Sequence, residues 1–72
     1  MRAIFEQTVA IKCTDNDKVV EADVNRFHEG VFLEVVMNTV KVNLQYDSKF
    51  DQYVGSLGGM EFITKGPRKL HG

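Results

Sequence analysis

The chain is poor in the residues that would announce a function. Cys13 is its only cysteine, so no internal disulfide can form. A cystine-stapled secreted domain and a cysteine-rich zinc site are both excluded. No apolar run exceeds three residues, as in Val31-Phe32-Leu33, which is far short of a membrane span. The opening MRAIFEQTVAIK has no apolar core of signal-peptide length, because Glu6, Gln7 and Thr8 interrupt it. The expected location is therefore cytoplasmic. Nor is there an excess of charge of either sign. Nine Lys and Arg stand against ten Asp and Glu, a formal net charge of −1. That balance excludes a globally basic nucleic-acid binder and an acidic disordered tail. Tryptophan is absent, and no internal repeat or low-complexity segment is present.

What is present is β-branched residues. Ten valines, three isoleucines and four threonines occur in 72 residues, and such side chains suit a pleated sheet. Period-2 alternation then marks strands over 5–13, 18–26, 31–37 and 40–46. Parity sets their register, since a slip of one residue would move a whole face from core to water. A two-residue loop at Asn38-Thr39 puts Met37, Val35 and Leu33 opposite Val40, Val42 and Leu44. A two-residue loop at Glu29-Gly30 puts Val24 opposite Val35. A four-residue loop over Thr14 to Asp17 puts Ile11 opposite Val20 and Val9 opposite Ala22. The result is a four-stranded antiparallel meander.

The pattern changes after Asp47. Phe50, Tyr53, Val54 and Leu57 fall at i, i+3, i+4 and i+7, which predicts a short helix over about 48–57. Asp47 or Ser48 would cap its start and Gly58-Gly59 its end. Met60 to Thr64 follows as a fifth strand, closed by Gly66-Pro67. The expected fold class is α+β, mostly antiparallel β. Four strands, a helix and a last strand form an order that resembles small SH3-like barrels, where a helical turn precedes the final strand. The alternative is an open sheet with one helix packed on it. Residues 1–65 form a single small β-rich domain, and residues 66–72 a flexible basic C-terminal tail.

Two candidate sites emerge. Phe27, Phe32 and Val36 lie opposite the main core face in this reading, where a sheet with one wet face should be polar. They are the expected partner interface, and a symmetric homo-oligomer is its default form. Self-association also fits a domain too small to bury a large core. The second candidate is Lys65, Arg68 and Lys69, a cluster that could contact phosphates as a weak nucleic-acid site. No aromatic follows Phe62 to add base stacking.

Chemistry is sparsely provided. Cys13 and His28 are a nucleophile and a base by type. An extended strand over 18–28 holds them roughly 33 Å apart, far beyond hydrogen-bond reach. Asp15-Asn16-Asp17 begins like a calcium loop, but Val19 and Val20 occupy the positions that need a ligand and a glycine. Gly58-Gly59 follows the expected helix rather than preceding it, so it is no phosphate cradle. The expectation is a non-enzymatic module that binds a protein or a second copy of itself. It has no catalytic residue, metal or cofactor, and weak nucleic-acid binding is the alternative.

Overall fold

A computed structural model describes residues 4–71; the first three residues of the expected domain and the last of the expected tail lie outside them. The described chain forms eight strands: β1 (Ile4–Phe5), β2 (Thr8–Cys13), β3 (Val19–His28), β4 (Phe32–Met37), β5 (Val40–Asp47), β6 (Gln52–Leu57), β7 (Met60–Thr64) and β8 (Lys69–His71). Strands β2 to β7 pair each with the next, and β7 returns to β2, closing a six-stranded antiparallel barrel. Strands β1 and β8 pair with each other as a separate two-stranded ribbon.

Alternation fills the barrel. Ile11, Leu33, Val35 and Leu44 are fully buried, and Val9, Cys13, Ala22, Val42, Tyr53 and Phe62 complete the core around them. A barrel of this few strands has an interior that side chains fill, so its middle is a packed core and not a channel. Among the described residues, Thr64 is the one buried polar side chain. Its hydroxyl donates to the Ala10 carbonyl at 2.9 Å and accepts from the Gly66 amide at 3.1 Å. Both bonds lie at the seam between β2 and β7, where only Lys12–Ile63 and Cys13–Phe62 pair along the strands.

Two of the expected registers hold. Met37 faces Val40, Val35 faces Val42 and Leu33 faces Leu44 across Asn38-Thr39. Ile11 faces Val20 and Val9 faces Ala22 across the first turn. The loop between β3 and β4 differs. Val24 does face Val35, but the register then shifts at Asn25, so that Phe27 faces Leu33 and His28 faces Phe32. The loop is therefore Glu29-Gly30-Val31, one residue longer than expected, and a β-bulge absorbs the extra residue. The expected first strand is also broken. Glu6 and Gln7 interrupt it, and the Gln7 carbonyl accepts the Val24 amide at 2.7 Å.

The fold class is corrected from α+β to all-β, because the described residues contain no helix. Residues 48–51 form a turn and 52–57 form β6, paired with β5 on one side and β7 on the other. Neither the SH3-like order with its helical turn nor the open sheet with a packed helix applies. Three physical features decide the matter. Gly55 sits where an added Cβ would overlap the Asn43 carbonyl oxygen and lie 3.1 Å from the Leu44 side chain, so β6 crosses β5 at a separation only glycine allows. Asp47 accepts the Lys49 amide at 3.0 Å. This is the same side-chain-to-backbone bond that caps a helix, used here to make a turn. Gly58 and Gly59, expected as a helix cap, take φ of +59° and +80°. They form a two-residue hairpin turn with Leu57 facing Met60.

Candidate functional site

The two ends of the barrel differ. At the end where β3 and β5 finish, aromatic rings close the core. Phe27 lies edge-on to Phe5 at 4.9 Å and to Tyr53 at 5.6 Å, and Tyr46 lies 5.2 Å from Tyr53. The Tyr53 hydroxyl accepts the Gly30 amide at 2.8 Å, and the Tyr46 hydroxyl donates to Asp51 at 2.6 Å. That second bond, ahead of desolvation and of the nearby charges, raises the Tyr46 pKa above its ordinary value. Pro67 is buried at this end, and the β1–β8 ribbon continues from it.

At the opposite end the inward-pointing side chains are uncovered. Val20 pairs with buried Ile11, Met37 pairs with Val40, and Leu57 pairs with Met60, all on the interior side of their strands. Yet Val20, Val40, Leu57 and Met60 remain 40–44% exposed. Val20, Met37, Val40 and Leu57 line a cavity of about 510 Å³ whose floor includes Phe62 and whose rim includes Glu21 and Asn38, and Met60 lies across the turn from Leu57. Glu21 is the one acidic or basic residue lining the cavity. Cys13 lies just beneath, buried, with its thiol 3.9 Å from the Met60 sulfur. Mouths of barrels are a common place for a binding site, and this volume is within the usual range of about 300–1,000 Å³.

The residues singled out in the sequence fall elsewhere. Phe27 is on the inside, packed against the core, because the bulge at Asn25 reverses its parity. Phe32 and Val36 remain on the outer face of β4, both half-buried. Phe32 stacks on His28 at 4.9 Å, and Val36 sits between Asp23 and Lys41 on the neighbouring strands. The three therefore do not share a surface. Among the basic residues, the Lys65 ammonium donates to the Phe50 and Asp51 carbonyls at 3.2 and 3.4 Å. Arg68 lies 3.5 Å from the Glu6 carboxylate, and Lys69 begins β8. Within the segment read as a tail, Lys69–His71 form strand β8, laid against β1, and the Glu6 amide donates to the Arg68 carbonyl at 3.0 Å.

Cys13 and His28 lie at opposite ends of the barrel, at the finish of β2 and of β3. Among the described residues, no group of three or more His, Cys, Asp or Glu is arranged to hold a metal ion. No helix of those residues is long and apolar enough to cross a membrane.

The mouth escaped the sequence reading because its residues have the parity of core residues. The signal that could have found it is positional. Met37 and Val40 flank one two-residue turn and Leu57 and Met60 flank another, so four interior-facing apolar side chains lie at the last rung of their hairpins. Both of those turns hold only two residues, too short to fold back over them. No family model matches the chain, and no curated protein or solved structure matches it.

Proposed function

We propose that this protein is a non-enzymatic binding module that holds an apolar segment of a protein partner in the open mouth of its barrel. One observation carries the reading: aliphatic side chains with core parity stand exposed at one end, while aromatic rings pack over the core at the other. Exposed apolar surface gathered in one concavity is a mark of a binding site, whereas apolar residues scattered singly need no explanation. Glu21 and Asn38 on the rim supply the few polar groups that orient a guest. Of the basic cluster, Lys65 and Arg68 are engaged within the chain, which favours protein over nucleic acid as the partner class.

An apolar fluorescent dye followed by amide NMR tests the reading. Shift changes confined to Val20, Met37, Val40, Leu57 and Met60 are expected. They should vanish in Leu57→Glu, whose side chain is already partly in water, with the rest of the spectrum retained. Shifts centred on Phe32 and Val36, or no dye binding, would remove the mouth as the site.

A further inference from the structure

We infer that the occupant of the mouth is the β1–β8 ribbon of a second copy, so that barrels join head to tail; this rests on the proposed binding role of the mouth. The two surfaces lie at opposite ends of one molecule, as a repeating chain of contacts requires. The ribbon carries two exposed apolar side chains, Leu70 at 61% and Ile4 at 50%. Lys69 adjoins Leu70 and, among the described residues, forms no ion pair. The mouth offers the complement: an apolar cavity with Glu21 as its one lining charge. The first turn adds Asp15 and the start of β7 adds Glu61, whose carboxylate accepts the Thr14 hydroxyl at 3.2 Å, while Asp17 is already paired with Lys12 at 3.4 Å. Lys18 is the opposing charge in the β2–β3 loop.

The ribbon itself is the second line of argument. Among the described residues it pairs with no barrel strand and with no third strand. A two-stranded sheet standing alone is marginal in water, and it gains from burial against another surface. Symmetric contacts are less favourable on charge grounds. Mouth to mouth would bring two Glu21 carboxylates together, and ribbon to ribbon would oppose Lys69 to itself. Mouth to ribbon instead sets Lys69 near Glu21. Such a contact is heterologous, so it forms a ring if the rotation closes and a filament if it does not.

Complementary variants of the full chain decide it. Leu57→Glu blocks the mouth and leaves the ribbon; Leu70→Glu blocks the ribbon and leaves the mouth. Both positions are exposed, and circular dichroism checks that each variant folds, with Leu57→Ser and Leu70→Ser as milder replacements. By light scattering on a sizing column, the parent chain should exceed a dimer as concentration rises. Each variant alone should stay monomeric. Their mixture should form a one-to-one heterodimer that grows no further. Glu21→Lys in the mouth-bearing partner should weaken that heterodimer about two- to five-fold, and Lys69→Glu in the other should restore it. A parent chain that is monomeric throughout, a homodimer indifferent to Leu70→Glu, or a mixture that stays monomeric would each overturn the inference. If the dye still binds at the mouth in that event, the binding role stands and only the second copy is wrong as partner. If the dye fails too, both readings fall.

Discussion

Gly55→Ala separates a strand from a helix by the sign of its effect. In an exposed helix the change would raise stability by about 1 kcal/mol, because glycine is the poorer helix former. In the barrel the new methyl would enter the Asn43 carbonyl oxygen and press on Leu44 at 3.1 Å. The obstacle is backbone, so β5 and β6 must separate, and no rotamer change relieves the overlap. Overpacking of this kind costs about 1–3 kcal/mol. The restricted unfolded chain returns about 0.4–1 kcal/mol of that. The net expectation is a loss of about 1–2 kcal/mol. A chain of 72 residues has roughly 4–11 kcal/mol in total at about 0.05–0.15 kcal/mol per residue, so the loss is a substantial share. At about 4–8 °C per kcal/mol for domains of this size, the midpoint should fall by roughly 4–16 °C. Thermal and urea unfolding followed by far-ultraviolet circular dichroism measure it. An unchanged or raised midpoint would refute the close crossing of β5 and β6.

Two further outcomes follow from local geometry. Thr39 holds φ of +66° in the turn between β4 and β5, a region costly to a β-branched residue, so Thr39→Gly should stabilise the fold by about 1 kcal/mol. A lower urea midpoint would show that the Thr39 side chain matters more than its backbone. Tyr46 should ionise above the ordinary 10.0, because its hydroxyl donates to Asp51 and the phenolate would face a carboxylate. Since the folded value is the raised one, this hydrogen bond supports the fold fully below pH 10 and its contribution disappears as pH rises through the folded value. Titration of the Tyr46 ring by NMR should move back toward 10.0 in Asp51→Asn; an unmoved titration would assign the shift to another cause.

Registers were legible where parity was unbroken. The β2–β3 and β4–β5 pairings follow from apolar positions alone, since any slip by one would expose Ile11 or Leu33. The β6 segment was not legible in that way. Phe50, Tyr53, Val54 and Leu57 have helical spacing, but only Tyr53 and Leu57 point inward. Phe50 is in the turn and 65% exposed, and Val54 lies on the outer face of β6. The apolar count was right and its period accidental. Gly55 was the better indicator, because a glycine mid-element weakens a helix and in a strand marks a close approach of backbones.

The site was less legible than the fold, for a reason particular to barrels. Alternation tells which side chains point inward, but being inward is not the same as being covered. Along β5, Val40, Val42 and Leu44 all face the interior, yet Val40 is 43% exposed while the other two are buried. The difference lies only in distance from the end of the barrel. At the far end Phe5, Phe27 and Tyr53 supply the cover, and they reach it because a bulge at Asn25 turns Phe27 inward. One inserted residue thus removes Phe27 from the outer surface and packs its ring over the core at that end. Two turns at the mouth end, Asn38-Thr39 and Gly58-Gly59, hold two residues each and are too short to fold over Val40, Leu57 and Met60. A barrel whose core is packed with aromatic rings at one end, and whose inward-facing aliphatic side chains stand exposed at the other, leaves its uncovered aliphatic core positions at that second end.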